Sequence, residues 1–409
     1  MTTPPPATGF ARSAPLSPSY DVVVVGARAA GAATAMLLAR RGLSVLAVDR
    51  SGYGTDTLST NALALPGVLQ LSRWGLLDEI RAAGTPVART VVFHYGDDVV
   101  TIDVPTRGDV DGLYSPRRTV LDARLVDAAR AAGADIRHGA ALVALTRSTT
   151  GRVDGVDLQV DGQRRRVAAR FVVGADGLRS RVAQEVGAPL LHQDSTAAAS
   201  IFSLWEGLPD DTIVNHYSQD QVVGVIPTND GAAVVWAGLP MAQFARLAAR
   251  DRAAVHAAHV QRVPELAAQM RGARQVSGLR SFAGVPGFLR QAWGDGWALV
   301  GDAGYFKDPV SSHGITDAFI GAELLARALD ETLLGDADER EALTHFQTQR
   351  DAMAAAMMPP LARVAGFDLP LPQVKEAFRD MSLAMRDEWQ LIVSTFDRRP
   401  DRRASTSAA

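Results

Sequence analysis

The strongest constraint in this chain is a glycine turn that must end a strand and open a helix. Asp21–Val25 is one aspartate followed by four valines, the pattern of a strand buried on both faces of a parallel sheet. Gly26-Ala27-Arg28-Ala29-Ala30-Gly31 follows directly. Ala29–Arg41 is rich in alanine and leucine and free of proline, so it predicts a helix, with Gly42 at the usual C-terminal glycine position. Ser44–Val48 reads as a second strand with Asp49 at its end. Together these make a βαβ unit of about thirty residues.

Each residue of the turn has a physical task. Gly26 allows the tight bend, and Gly31 lets the helix approach the strand closely. The free N–H groups and positive dipole end of the helix suit a pyrophosphate. Asp49 is placed to accept a hydrogen bond from a ribose hydroxyl, and Ala27, Ala30 and Arg50 flank these positions. The middle glycine of the fingerprint is replaced by Arg28. Its side chain must either swing outward or bring its guanidinium to the phosphates. Taken alone, the unit also fits an ordinary βα turn without ligand.

Two later segments have the same character. Val172-Val173-Gly174-Ala175-Asp176-Gly177 leads on to Ser180, and Trp297-Ala298-Leu299-Val300-Gly301-Asp302-Ala303 runs on to Pro309, Gly314 and Ile315. Ahead of both, Thr119–Ala132 predicts an amphipathic helix with Leu121, Leu125, Val126 and Ala129 on one face. Asp135–His138, Ala141–Arg147, Val153–Val160 and Arg164–Ala168 read as short strands, with Asp161-Gly162 a hairpin turn. Phe171–Val173 reads as a further, separate strand. Residues 196–240 alternate as an antiparallel sheet, Met241–Gln269 as a helix, and the chain from 336 as helices broken at Pro359-Pro360 and Pro370–Pro372.

The expected fold is therefore α/β. A Rossmann-like nucleotide domain is visited three times (19–86, 113–186 and 285–335). An antiparallel-sheet substrate domain is inserted into it (87–112 and 187–284). A helical C-terminal region spans 336–399, and 1–18 and 400–409 are expected to be flexible tails.

Composition narrows the functional classes. The chain has no cysteine, which excludes disulfides, cysteine-ligated metal and thiolate catalysis. A formal net charge of -3 gives no electrostatic case for nucleic acid. No apolar run reaches membrane-spanning length, and the N-terminal residues lack the pattern of a secretion signal. A cytoplasmic location without integral membrane association is the expectation. Oligomeric state is not legible.

The three segments, in this order, resemble the motifs of FAD-dependent monooxygenases of the para-hydroxybenzoate hydroxylase type, over about residues 20 to 350. The resemblance implies that Gly26 to Gly31 and Asp49 hold the ADP half of FAD. It implies that Asp176 and Gly177 support both FAD and the pyridine nucleotide, and that Gly301 and Asp302 bind the ribityl chain. Pro309, Gly314 and Ile315 would lie against the isoalloxazine, where backbone N–H groups stabilise negative charge on the reduced ring. Arg118 matches an arginine that opens a helix and contacts FAD. Departures mark a divergent branch: Tyr305, Thr316 and Gly321 stand where the family has histidine, asparagine and aspartate.

The activity so implied is hydroxylation or epoxidation of an aromatic, polycyclic or alkene small molecule. NAD(P)H and molecular oxygen would be consumed, with oxygen carried as a flavin 4a-hydroperoxide. No second glycine fingerprint is visible, as suits a family that binds NAD(P)H without a separate domain. Three alternatives stay open: a reductase of carbon–carbon double bonds resembling geranylgeranyl reductase, a flavin halogenase, and a protein that binds FAD without turnover. For the halogenase, the expected Trp-x-Trp-x-Ile-Pro motif is absent, since Trp205 and Trp236 stand singly. An NAD-dependent dehydrogenase leaves Gly301-Asp302 unexplained.

No general base and no metal site can be assigned. Lys307, one of two lysines, places a cation near flavin or substrate, or is a solvated loop residue. His313, His216 and Tyr217 are the other proton-transfer candidates. Thr57–Asn61 either lines the site or is an ordinary polar loop. Phe202, Trp205, Ile226, Pro227 and Trp236 either roof an apolar pocket or form common core.

Overall fold

The computed structural model describes residues 15–247 and 251–396. The chain opens with β1 (Ser19–Val25), α1 (Ala29–Arg40) and β2 (Val45–Asp49). Helices α2 (Leu65–Arg73) and α3 (Leu77–Ala82) lead to β3 (Val87–Ala88), β4 (Thr90–Tyr95), β5 (Asp98–Asp103) and β6 (Leu113–Tyr114). Then come α4 (Arg118–Ala131), β7 (Asp135–His138), β8 (Ala141–Arg147), β9 (Val153–Val160), β10 (Gln163–Gly174) and α5 (Arg181–Glu185). Strands β11 (Leu190–Gln193), β12 (Ala198–Glu206), β13 (Thr212–Ser218), β14 (Gln221–Pro227) and β15 (Ala232–Pro240) precede α6 (Met241–Leu247), α7 (Arg252–Gln261) and α8 (Pro264–Met270). Short strands β16 (Arg274–Gln275), β17 (Arg280–Phe282), β18 (Phe288–Arg290), β19 (Trp293–Gly294), β20 (Trp297–Leu299) and β21 (Tyr305–Phe306) follow. The described chain ends with α9 (Gly314–Leu333), α10 (Glu339–Ala365), α11 (Leu371–Leu391) and one π-helical turn.

The first sheet has the order β19-β20-β10-β1-β2-β7. From β20 to β7 all neighbours are parallel. The valine run of β1 splits by strand alternation. Val22 and Val24 face α1, α4 and α9, while Val23 and Val25 face the β8–β9 meander and α5. Both faces are therefore covered, as expected of a strand with no polar side.

The second sheet has the order β16-β12-β15-β14-β13-β4-β5. Strand β4, from an early excursion of the chain, pairs in parallel with β13, from a late one. One face packs on α10 and α11 through Ile213, Val222 and Trp236 against Met357, Leu361 and Met381. The other face packs on α7 and α8 through Val223, Val225 and Val235 against Val260, Val263 and Leu266.

Three sequence expectations need correction. Arg164–Ala168 and Phe171–Val173 belong to one strand, β10. Its first half pairs antiparallel with β9 and its second half pairs parallel with β1. The exposed, arginine-rich first half hid the continuity. The stretch 241–269 is three helices, with Asp251 capping α7 and Pro264 opening α8. Pro359 and Pro360 do not break the C-terminal helix, for α10 runs through both. Each lacks an N–H, a loss on the order of 3 kcal/mol in a helix interior. Met357, Met358 and Leu361 around them are at most 4% exposed, and this burial offsets the lost bonds. The break at Pro370 is real, because α11 begins there.

Of the expected tails, 1–14 and 400–409 lie outside the described residues. No described helix is long and apolar enough to cross a membrane.

Candidate active site

Strands β20, β10, β1 and β2 lie side by side and point the same way. Their carboxyl ends thus carry Gly301, Asp176, Gly26 and Asp49 to one edge of the sheet. The segments touch. Gly26 has φ +100°, and a Cβ there would sit 2.3 Å from the Ala175 carbonyl oxygen. A Cβ on Gly31 would sit 1.8 Å from the Gly26 carbonyl oxygen, and one on Gly301 (φ +57°) 2.9 Å from Ala30. The bend at 26 needs left-handed backbone, and the approach at 31 needs a missing side chain.

The acidic residues at this edge are already engaged. Asp49 accepts the Ala27 N–H at 2.9 Å, the Ser51 N–H at 2.8 Å and the Ser51 hydroxyl. It therefore ties the second strand to the glycine turn. Asp176 accepts the Ser180 hydroxyl at 2.5 Å and the Arg181 N–H at 2.6 Å, which fastens the start of α5. The Arg28 side chain swings outward. It donates to the Thr55 carbonyl, the Ser51 and Thr55 hydroxyls and Asp122, the last at 3.2 Å. Asp122 also accepts two hydrogen bonds from Arg118, both at 3.0 Å. This buried carboxylate thus joins the glycine turn to α4. Burial nonetheless raises its pKa, with both arginines pulling the other way.

A cavity of about 820 Å³ opens over this edge, within the range of about 300–1,000 Å³ typical of cofactor and ligand sites. Gly26, Arg28, Ala30, Asp49, Arg50, Arg118, Asp176, Gly177, Gly301, Asp302, Pro309, Gly314 and Ile315 all line it. Ala27 and Gly31 build the turn without lining that cavity, and Ala27 borders a small neighbouring pocket. Lys307 lines it, whereas His313 is fully buried behind the wall. His216 and Tyr217 stand elsewhere, on β13. His216 stacks on His94 at 4.1 Å, and burial, with His94 beside it, pushes its pKa down to about 4. Tyr217 stacks with Tyr95 and Phe93 in the apolar cluster under α10 and α11.

At its far end the cavity meets the second sheet. Ser200 and Phe202 of β12, Phe282 of β17 and Phe306 of β21 form this wall, opposite Thr57–Asn61. Asn61 has φ +71°, and Arg280 holds the loop by donating to the Thr57 carbonyl and to Asp56. Trp205, Trp236, Ile226 and Pro227 do not line the cavity. Trp236 and Ile226 sit in the apolar cluster under α10, and Trp205 packs on the opposite face.

Sequence reasoning missed Asp122, Asp317, Phe282, Phe306 and Glu388. Asp122 follows Arg118 by one helical turn, and Asp317 follows His313 in the same way. That spacing was an available signal. Nothing local marks the phenylalanines or Glu388.

Asp302 is the group that tests whether FAD fits. It lines the cavity, yet no described residue donates a hydrogen bond to its carboxylate. Burial raises its pKa to about 6, Asp317 adds to the rise, and Arg118 opposes it. An acceptor left unmatched by protein calls for hydroxyl donors from a ligand, and a ribityl chain supplies them. The bare backbone at Gly26 suits phosphate, as do the unpaired N–H groups at the start of α1. The residues present fit FAD.

The comparisons agree. A family model described as FAD binding domain matches residues 19–359. The chain is 23% identical to a 1H-pyrrole-2-carbonyl-[peptidyl-carrier protein] brominase of Pseudoalteromonas luteoviolacea, over 81% of this chain and 82% of that one. It is 26% identical to digeranylgeranylglycerophospholipid reductase 2 of Methanopyrus kandleri, over 76% and 78%. Its fold is like that of PqsL, a probable FAD-dependent monooxygenase from Pseudomonas aeruginosa, with a TM-score of 0.74 at 19% identity over 88% of this chain and 100% of that one. With the strand-end motifs meeting around one unmatched carboxylate, the chain belongs to the FAD binding domain family of flavin-dependent oxidoreductases, which para-hydroxybenzoate hydroxylase-type monooxygenases share with related halogenases.

Proposed function

We propose that this protein is a monooxygenase that uses NAD(P)H and molecular oxygen to hydroxylate or epoxidise an aromatic, polycyclic or alkene small molecule. The observation that carries this reading is the continuity of the cavity. One space runs from the strand-end glycines to the phenylalanine wall formed by the second sheet and β21. Bound FAD supplies the redox and oxygen chemistry.

The chain's own residues would do the rest. Gly26, Asp49 and the start of α1 bind the ADP half. Asp302 orients the ribityl hydroxyls. The N–H groups of Gly314 and Ile315, at the start of α9, offer donors to a pyrimidine oxygen. Phe202, Phe282 and Phe306 hold an apolar ring and exclude water, while Ser200 and Asn61 offer it hydrogen bonds. We read 19–86, 113–186 and 285–335 as the cofactor-binding part, and 87–112 and 187–284 as the substrate part.

The reductase among the relatives favours a second reading, reduction of a carbon–carbon double bond without oxygen insertion. The brominase favours a third, halogenation. Purified protein is assayed with NAD(P)H, labelled oxygen and a panel of phenols and polycyclic ketones. Substrate-stimulated uptake of both, with label in the product, is the expected result. NAD(P)H loss without oxygen uptake under air replaces it with the reductase reading, and product that acquires halide in place of label replaces it with the halogenase reading.

A further inference from the structure

Behind the cavity wall, four ionisable side chains from three parts of the chain meet. Lys307 follows β21, His313 and Asp317 flank the start of α9, and Glu388 reaches in from α11. Lys307, His313 and Glu388 are at most 4% exposed. Lys307 Nζ lies 2.8 Å from Asp317 and 3.1 Å from His313 Nδ1. His313 Nδ1 lies 3.1 Å from Asp317, and its Nε2 lies 2.9 Å from Glu388. Among the described residues, Glu388 has no other ion-pair partner.

The imidazole thus stands between two carboxylates, one at each ring nitrogen. The 2.9 Å approach to Glu388 is a charge contact, since neither His313 Nε2 nor the Glu388 carboxylate has a hydrogen-bond partner among the described residues. Only the doubly protonated ring puts a positive charge beside both carboxylates. With that ring, two cations face two anions and the cluster is neutral. With a neutral ring, a buried carboxylate is left without a counter-charge, which is strongly unfavourable. A metal ion held by His313, Asp317 and Glu388 does not fit. The two nitrogens face opposite carboxylates, and Lys307 already occupies Asp317.

We propose that Glu388 is a positioning residue for the active site: it holds His313 as imidazolium, so the C-terminal helix sets the charge behind the cavity wall. That charge reaches the cavity in two ways. Lys307 itself lines the cavity, and Asp317 acts on Asp302, whose carboxyl faces it. Burial pushes the His313 ring down and Lys307 does the same. Glu388 and Asp317 push it up, and the net direction is up. Tyr305 of β21 also faces Asp317 and Glu388, with Arg350 of α10 beside it.

The proposal rests on the FAD reading only for its effect on the cofactor, so it is tested twice. In the full-length chain, labelled histidine is titrated by NMR, with His313→Gln assigning the signal. His313 should keep its proton above the ordinary histidine value of about 6.5. Glu388→Gln should drop its titration into or below that range, and Glu388→Asp should restore it. In FAD-loaded protein, the midpoint potential of Glu388→Gln should gain an inflection between about pH 5 and 8 that the parent lacks. If Glu388→Gln does not fold, the His313→Gln/Glu388→Gln pair, which keeps Lys307 and Asp317 balanced, should fold and show no such inflection. A parent His313 that titrates at its ordinary value, or a signal that Glu388→Gln leaves unmoved, overturns the proposal. Failure to bind FAD would sink the cofactor reading instead and leave the titration standing.

Discussion

The two ends of the cavity handle charge in opposite ways. Around the glycine turn, Asp49 and Asp176 at the strand ends and Asp122 on α4 are each held by N–H, hydroxyl or guanidinium donors of the protein. Just past β20, Asp302 has no hydrogen-bond donor among the described residues, and behind the wall Glu388 is paired with the His313 ring. The first end is a finished scaffold that a ligand joins. The second leaves Asp302 raised by burial with no protein donor to hold it, as at sites that move protons or stabilise charge. Binding rigidity and chemical readiness have been assigned to different parts of one fold.

The largest expected effect attacks the finished end. Gly31→Val drives a side chain into the Gly26 carbonyl and should cost more than about 4 kcal/mol, with no FAD-binding protein recovered from denaturant titration and absorbance. A folded, yellow Gly31→Val protein would show that the turn is softer than its contacts imply. Next, Asp122→Ala leaves Arg28 and Arg118 without their shared carboxylate. A loss of roughly 3 kcal/mol is expected, again by denaturant unfolding, with weaker FAD affinity as the turn loosens.

At the poised end the sign should reverse. Asp302 is raised to about 6 from 3.8. The folded protein therefore binds more protons than the unfolded one in that window, and stability falls as pH rises through it. Asp302→Asn should gain roughly 1–2 kcal/mol at neutral pH in FAD-free protein. Asp302→Ala should stay folded while losing FAD affinity by tenfold or more, about 1.4 kcal/mol. If Asp302→Asn is destabilising, the carboxyl has a protein partner and the contrast between the ends dissolves. The smallest effect is a control away from both. Arg152 and Glu339 pair near the surface at 2.7 Å, and Arg152→Ala should change stability by less than about 1 kcal/mol with FAD affinity unchanged.

The same contrast governs what could be read from sequence. The glycine turn, β1, α1 and Asp49 were legible because backbone geometry dictates residue type at each position. The strand-end residues expected to meet do so around one cavity. Arg28 was flagged, but its outward course depended on Asp122, which reaches it only once α4 is packed. His313 is a proton-transfer candidate by sequence, yet it sits behind the cavity wall. Its burial is decided by α11, seventy-odd residues on, and no local pattern announces Glu388. Pro359 and Pro360 misled for a related reason, since propensity is local and the packing that overrides it is not.

The pairing of β4 with β13 has a consequence for how the chain is made. The early hairpin β4–β5 leaves the ribosome more than a hundred residues before the strand it joins. Until then Val91 and Tyr95 have no partners from β13, α10 or α11 to cover them. Closing so long a loop is slow, so chains cut short before β13 should aggregate, and the nascent protein should need shelter until its last third has emerged.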